Sequence, residues 1–299
     1  MLDNVGSRIM LEVECPILIC LIVCFAKDMK DMKRNFSNNE FYHLYDRGVD
    51  KRRIYLNNED NIRFIHDLYE FNDTKPAPQF IRRFKRIHLE VGNKKSKNVG
   101  SETSNIASNA TNSICDVGSK FNDIKIRNRQ KRERNLLVNV HAFVLMPNHH
   151  HLLVEQLRDN GISNYIRKLH TGYTNAFNSK YKRKGHLFEG PFKAIHVEDD
   201  IQLGCLICYL HSNPLSLWKS NWREKKLTDL EINQALKFLE KYKWSSHLDY
   251  IGIKNFKSII DRDFLLDFFD GISGYKAFFV DWLKQYARAQ TYMGDYIIE

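Results

Sequence analysis

Apolar residues recur along this chain with a period of two in some stretches and with a helical period in others. Runs of aromatic and β-branched residues predict strands at residues 41–47, 136–145 and 149–156. Apolar residues three or four positions apart predict helices at residues 60–71, 162–181 and 199–211. Residues 185–197 combine a loop with a further strand. The order strand, helix, strand, strand, helix, strand, helix predicts an α+β fold with an antiparallel sheet and helices on one face.

The last third of the chain has a helical pattern and many aromatic residues. The pattern at residues 228–289 predicts a helical C-terminal region over 219–299. Because large rings bury much apolar area, seven of its residues are expected in the core: Trp244, Phe264, Phe268, Phe269, Phe278, Phe279 and Trp282.

Residues 73–135 differ in character from the predicted elements on either side. Residues 92–120 are rich in Ser, Asn, Gly and Lys and almost lack large apolar residues, and residues 125–134 are strongly basic. Such a composition cannot bury a core, so we expect a disordered basic insertion between two core elements. The insertion either follows a phosphate backbone or is a solvated charged loop, and the second alternative is favoured.

The hydrophobic run at residues 15–26 is too short to span a bilayer. It also lacks the basic start and the small-residue cleavage site of a signal peptide. We therefore expect residues 1–31 to be a start-site over-extension or a poorly determined tail, with Met32 as a natural start. A membrane anchor is the alternative, although no membrane partner is expected.

Composition favours a nucleic-acid partner. The chain has 46 Lys and Arg against 36 Asp and Glu, a net charge of +10, and 12% aromatic residues. Cations neutralise phosphates and rings stack on bases, although a basic protein without such a partner has the same composition. Cys205 and Cys208 have CxxC spacing in an apolar run without a second such pair, so we expect buried hydrophobic residues. No disulfide framework is evident, and we expect a cytoplasmic protein.

Two histidines suggest half of a metal site. His149 and His151 follow the Pro147-Asn148 turn at i and i+2 on a predicted strand, so both point to the same face. Imidazole is a common ligand of divalent metals. His150 should point to the opposite face. A structural role, or accidental nickel binding by three consecutive histidines, is the alternative.

A tyrosine and an asparagine one helical turn apart suggest the other half. Tyr209 and Asn213 share a helical face, and an amide oxygen is a hard ligand suited to Mg²⁺ or Mn²⁺. Asn213 would then complete the metal site of the two histidines, and Tyr209 would attack a phosphodiester to give a covalent intermediate. The alternative is that Tyr209 is a structural aromatic residue of the core. Tyr173 is a rival nucleophile, but Phe177 at i+4 offers no metal ligand. No phosphate-binding GxxxxGK[ST] loop occurs, so no nucleotide cofactor is expected.

Four motifs together resemble the single-tyrosine HUH transposases of insertion sequences, in the branch that includes the REP-associated tyrosine transposases. The resemblance covers about residues 36–218, and the motifs follow the family's order: FYHLYDRG at 41–48, MPNHHHLL at 146–153, GHLFEGPFK at 185–193 and YLHSNP at 209–214. The resemblance implies a ferredoxin-like catalytic domain, a divalent cation (Mg²⁺ or Mn²⁺) and single-stranded DNA with hairpins as substrate. It also implies cleavage to a 5′-phosphotyrosine and a free 3′-OH, and it is compatible with a homodimer.

Carried over by position, the resemblance makes His149 and His151 the paired metal ligands, Tyr209 the nucleophile and Asn213 the third ligand. It makes four basic residues candidates for DNA contacts: Arg47, Lys182, Arg183 and Lys193. Two positions depart from the family's pattern. His150 replaces a bulky hydrophobic residue, and Pro191 stands where many relatives carry Arg.

Three functions compete. The first is a metal-dependent DNA strand transferase that acts through Tyr209. The second is a non-catalytic hairpin nucleic-acid-binding protein derived from a transposase. The third is a zinc hydrolase built on His149 and His151, which lacks an evident carboxylate base in the same motif.

Overall fold

The sheet has four antiparallel strands. The computed structural model describes residues 35–75, 134–224 and 226–290, with side chains up to residue 286. The strands are β1 (Phe41–Arg47), β2 (Val138–Met146), β3 (His149–Gln156) and β4 (Lys193–His196). Their order across the sheet is β2-β3-β1-β4, and every neighbouring pair is antiparallel.

Two helices complete a ferredoxin-like unit. Helix α1 (Asn58–Glu70) connects β1 to β2, and helix α2 (Gly161–Lys180) connects β3 to β4. The Asn57 side chain accepts from the Asp60 backbone and the Asp60 side chain accepts from the Asn57 backbone, a capping box that fixes the start of α1. The β-α-β-β-α-β order confirms the predicted α+β, ferredoxin-like fold.

The two faces of the sheet carry different helices. Side chains alternate along β3, so His150 points to the face covered by α1 and α2, where its ring packs 4.8 Å from Phe64. His149 and His151 point to the other face. Helix α3 (Asp200–Ser212) covers that face, with the Tyr209 ring 5.7 Å from the His151 ring. The structure therefore adds a helix opposite the two that the sequence places on one face.

The C-terminal helices are present as predicted. A short helix, α4 (Leu215–Trp218), precedes the predicted region, and four helices lie within it: α5 (Asp229–Leu239), α6 (His247–Tyr250), α7 (Asp263–Phe268) and α8 (Gly271–Gln290). Of the aromatic residues expected in the core, three are buried (Phe269, Phe279 and Trp282) and three pack against it partly exposed (Trp244, Phe268 and Phe278). The expectation for Phe264 is wrong, because its side chain is 51% exposed and stacks on Phe41.

Chain contacts divide the protein into two compact units, Met1–Asn72 with Leu136–Glu299, and Asp73–Asn135. Within the first unit, Asn72 holds the start of β2. Its Oδ1 accepts from the Leu137 and Val138 amides at 3.1 Å, and its Nδ2 donates to the Val138 carbonyl at 2.8 Å. The point where the chain leaves this unit therefore lies beside the point where it returns.

Two predictions fall largely outside the described residues. These are the N-terminal extension at 1–31, with its apolar run, and the disordered insertion at 73–135, of which only 73–75 and 134–135 are described. Within the described ranges, no helix is long and apolar enough to cross a membrane. The domain limits 36–218 and 219–299 stay a prediction.

Candidate active site

The turn between β2 and β3 is fixed to the end of β1. The Gly48 amide donates to the Asn148 carbonyl at 2.8 Å, and the Ile54 amide donates to the Pro147 carbonyl at 2.9 Å. A Cβ atom on Gly48 would lie 2.3 Å from the Arg52 carbonyl oxygen, so a side chain there would push this loop apart. This close packing sets the position from which the histidine strand begins.

His149 presents one nitrogen to the site. Its Nδ1 lies 2.7 Å from Oδ1 of Asn148, whose Nδ2 donates to the Lys51 carbonyl. Because that oxygen can only accept, Nδ1 carries the proton and Nε2 keeps its lone pair. Burial, together with the charges of Arg47 and Arg223, lowers the pKa of His149 to about 4. The ring is therefore neutral at pH 7, as a metal ligand must be.

His151 is oriented by a second histidine. Its Nδ1 lies 2.8 Å from Nε2 of His43 on β1, and the two rings stack with centroids 5.0 Å apart. Burial lowers the pKa of His43 to about 3 and that of His151 well below its usual value. If His151 donates through Nδ1, its Nε2 is free to bind a metal, and His43 selects that tautomer.

Sequence reasoning missed His43. The signal that could have found it is the alternation along β1, which puts His43, Tyr45 and Arg47 on the face of the paired histidines. The pairing of β1 with β3, which puts Tyr45 opposite His151, is a property of the sheet order and is not visible in either strand alone.

Tyr209 reaches this face from α3. The helix is capped by Asp199, whose side chain accepts from the Gln202 amide at 2.7 Å. The Tyr209 ring stands edge-on to His151 at 5.7 Å and to His43 at 6.3 Å between centroids. The residue is 6% exposed. The structure thus brings together the tyrosine and the histidines that lie about 60 residues earlier.

Asn213 lies one turn beyond Tyr209 and bonds to an arginine. Arg223 donates from Nη2 to Oδ1 of Asn213 at 2.8 Å, and its guanidinium lies 5.5 Å from the centre of the Tyr209 ring. Sequence reasoning missed Arg223 as well. It follows α4 in an irregular segment with no periodic pattern, so the sequence contains no signal that would place it here.

The residues present fit a divalent cation in part. His149 and His151 are neutral, adjacent imidazoles with ring centroids 5.1 Å apart, which suits two ligands of one ion. Oδ1 of Asn213 accepts from Arg223, so a cation on its second lone pair would lie beside a guanidinium charge. In the ranges that the structure describes, no group of three or more His, Cys, Asp or Glu side chains could hold a metal. Further ligands would come from substrate oxygens or water.

Two of the four predicted DNA-contact residues border the histidines. Arg47 lies opposite His149 in the sheet register, and its charge is one cause of the lowered pKa of that histidine. Lys193 pairs with Tyr45 on the outer strand, with its ammonium 5.7 Å from the Tyr45 ring. Both cations are on the face of the candidate site.

Lys182 and Arg183 lie elsewhere. They follow the end of α2, which packs on the opposite face of the sheet. Lys182 is exposed, while Arg183 donates to the Asn178 side chain at 3.0 Å and to the His186 carbonyl at 3.4 Å. Contact with DNA stays a prediction for all four basic residues.

The rival tyrosine lies on the far side of the sheet. Tyr173 is 1% exposed, and its hydroxyl donates to the Ile54 carbonyl at 2.6 Å. Burial raises the pKa of Tyr173 well above its usual value. His150 lies on the same side, 5.6 Å from the His170 ring. Neither residue faces the paired histidines.

A buried polar network holds α3 against the C-terminal helices. His211, two residues after Tyr209, bonds through Nδ1 to the Tyr275 hydroxyl at 2.8 Å and through Nε2 to the Ser246 hydroxyl at 2.7 Å. The same Tyr275 hydroxyl lies 2.8 Å from Nδ1 of His247. The tyrosine helix is thereby tied to residues more than 30 positions further along the chain.

Comparison with known proteins gives one family. A family model described as "Transposase IS200 like" matches residues 124–213. The match contains the paired histidines, Tyr209 and Asn213, and it ends before Arg223. The resemblance to the single-tyrosine transposases is therefore confirmed over these residues.

Other comparisons add little. A solved structure described as "Structure of the REP associates tyrosine transposase bound to a REP hairpin" is 10% identical, covers 76% of this chain and 90% of that chain, and has a TM-score of 0.39. A similarity this low carries no argument about function. No curated protein matches the chain.

Proposed function

We propose that this protein is a transposase-type DNA strand transferase that cleaves and rejoins single-stranded DNA through a covalent bond to Tyr209. The observation that carries the proposal is the position of the Tyr209 ring against His151, on the face where His149 and His151 lie side by side. A nucleophile beside a pair of metal-type ligands is an arrangement that suits phosphodiester transfer.

The proposed step is a transesterification. The Tyr209 oxygen attacks phosphorus, the Oη–P bond forms and the P–O3′ bond breaks. The phenol proton passes to solvent, and the leaving O3′ takes a proton from water. A 5′-phosphotyrosine retains the ester bond, so attack by another 3′-OH rejoins the strand without nucleotide hydrolysis.

His149 and His151 would hold a divalent cation, Mg²⁺ or Mn²⁺, through their Nε2 atoms. Such an ion, when bound, stabilises the negative charge that develops on the phosphate oxygens. Asn148 and His43 orient the two rings by hydrogen bonds to their Nδ1 atoms at 2.7 and 2.8 Å. These partners hold the tautomers in which both Nε2 atoms keep a lone pair for a metal.

The proposed substrate is single-stranded DNA that carries hairpins. Arg47 and Lys193 flank the histidines on the same face, and the net charge of +10 favours a polyanion. A cytoplasmic location and a homodimer are compatible with this function and stay part of the proposal.

The test is covalent capture of DNA. Labelled single strands from the ends of the gene are incubated with the protein and Mg²⁺ or Mn²⁺, and the products are run on a denaturing gel. We expect an adduct that disappears in Tyr209→Phe and in His149→Ala and persists in Tyr173→Phe. An adduct that survives Tyr209→Phe would move the nucleophile elsewhere. Hairpin binding without an adduct under any divalent metal would favour the non-catalytic binding protein.

A further inference from the structure

Two buried hydrogen-bond donors beside Tyr209 lack an acceptor. They are Nδ2 of Asn213 and Nε of Arg223, and neither has a partner among the residues that the structure describes. Asn213 is only 4% exposed. A buried donor without an acceptor is costly, so proteins retain one mainly where a ligand or a water supplies the acceptor.

The two donors are close together. Nη2 of Arg223 donates to Oδ1 of Asn213 at 2.8 Å. The free Nε of Arg223 is two covalent bonds from this Nη2, and the free Nδ2 of Asn213 is two covalent bonds from this Oδ1. Nε and Nη2 form one edge of the planar guanidinium, the edge that binds two oxygens of a phosphate or a carboxylate. Only one of its two N–H groups is engaged in the structure.

This geometry argues against a metal on Asn213. The oxygen that a metal would need already accepts from a guanidinium, and a divalent cation on the same oxygen would be repelled by the arginine charge a few ångströms away. An anion at the two free donors would instead be attracted by that charge. The polarity of this part of the site is therefore that of a phosphate site.

We propose that Arg223 and Asn213 bind the phosphate group that Tyr209 attacks, so that Asn213 is a phosphate donor and His149 and His151 are the metal ligands. The proposal rests on the function proposed above, and it replaces the metal-ligand role that the resemblance implies for Asn213. It also extends the site beyond residue 213, where the family match ends.

In the transfer step the two residues act by hydrogen bonding alone. Nε–H of Arg223 and Nδ2–H of Asn213 donate to non-bridging phosphate oxygens while the Oη–P bond forms and the P–O3′ bond breaks. Neither residue gains or loses a proton. Donors aimed at oxygens where charge develops stabilise the transition state more than the ground state.

The first experiment measures the single-turnover rate of adduct formation. Arg223→Gln should slow it by on the order of 10²–10³-fold, the usual effect of removing one such donor. Arg223→Lys keeps the charge but lacks the edge with two N–H groups, so its rate of adduct formation should lie between the rates of Arg223→Gln and wild type. Arg167→Gln is the matched control, because Arg167 is exposed on α2 and, among the residues that the structure describes, its hydrogen bond is to Asn164 at the surface. The rate of Arg167→Gln should stay within about 3-fold of wild type.

The second experiment separates the phosphate role from the metal role without any turnover. Binding of Mn²⁺ alone is followed by electron paramagnetic resonance. Asn213→Ala should leave the Mn²⁺ affinity within about 2-fold of wild type, whereas His149→Ala should weaken it by roughly 10-fold or more, since that residue is a direct ligand. Equal losses in the two variants would assign Asn213 to the metal and overturn the proposal.

The third experiment observes the donor itself. The Arg223 Nε–H resonance, identified by its loss in Arg223→Lys, is followed by NMR while inorganic phosphate is added. We expect a saturating shift that is absent for Arg167, and an unmoved resonance would overturn the proposal. If Tyr209 forms no adduct but the resonance still shifts, the transferase fails while the phosphate site stands.

Discussion

The hydroxyl of Tyr275 links helix α3, which carries Tyr209, to the C-terminal helices by hydrogen bonds. The substitution Tyr275→Phe tests how much these hydrogen bonds stabilise the protein. Tyr275 is fully buried on α8, and its hydroxyl lies 2.8 Å from Nδ1 of both His211 and His247. Phenylalanine fills the same space, so the substitution removes the hydroxyl and leaves the packing of the ring unchanged.

The magnitude follows from the protons in the network. Burial lowers the pKa of His247 to about 3 and that of His211 well below its usual value, so both rings are neutral at pH 7. The phenol has one proton, and it donates to one ring and accepts from the other. Tyr275→Phe therefore strands one donor and one acceptor. At about 1–2 kcal/mol for each buried unpaired group, the loss of stability is about 3 kcal/mol.

Thermal and urea unfolding measure this loss. For a domain of this size, about 3 kcal/mol corresponds to a fall in Tm of roughly 6–12 °C. Tyr250→Phe is the matched control, because Tyr250 is equally buried but its hydroxyl bonds to a single carbonyl, that of His141, at 2.9 Å. Its cost should be about 1 kcal/mol. The reasoning is refuted if Tyr275→Phe is no more destabilising than Tyr250→Phe.

Two further predictions concern acid and the insertion. Burial lowers the pKa of three histidines, His43, His170 and His247, to about 3, so below the unfolded value of 6.5 the unfolded chain binds protons that the folded protein does not. Each of them contributes stability that is lost as the pH falls from 6.5 toward 3, by up to about 1.4 kcal/mol per pH unit. Asp46 and Asp67, whose pKa values burial raises to about 7, offset two of the three between pH 7 and 3.8. Urea titrations at several pH values should therefore show a net fall on acidification, and a flat profile would contradict this sign. Replacing residues 76–133 with a short Gly-Ser linker should change Tm by less than about 3 °C. The Thr74 amide already donates to the Asn135 carbonyl at 2.9 Å, and the entropy cost of closing a loop depends only weakly on its length. Loss of the folded circular-dichroism spectrum would show that the segment has a structural role.

The sequence predicted those parts of the fold that depend on local chemistry. The alternation of His149, His150 and His151 on a strand follows from backbone geometry alone, and the structure has them on opposite faces. The spacing of Tyr209 and Asn213 similarly follows from the helical repeat. The start of α1 is local as well, because its capping box joins Asn57 and Asp60, which are three positions apart.

The rest depended on contacts between distant segments. His43 comes from a strand about 100 residues before the paired histidines, and Arg223 comes from an irregular segment after α4. No spacing within either segment indicates that these two residues reach the same site. Phe264 was expected in the core because it is aromatic, but aromatic content does not say which face of a short helix is covered. The side of the sheet chosen by α3 is likewise a property of the packed chain.

Arg223 and Tyr275 lie after the last of the four sequence motifs. Their position affects how one judges whether a copy of such a gene still encodes an active protein. A copy interrupted by a stop codon after residue 214 would still encode all four motifs and every residue of the family match. Its product would nevertheless lack the arginine beside Tyr209, the hydroxyl that holds His211, and large buried side chains of the core: Trp222, Phe279 and Trp282. Intact motifs are therefore a poor measure of whether a copy is still active, and the reading frame beyond them is the better one.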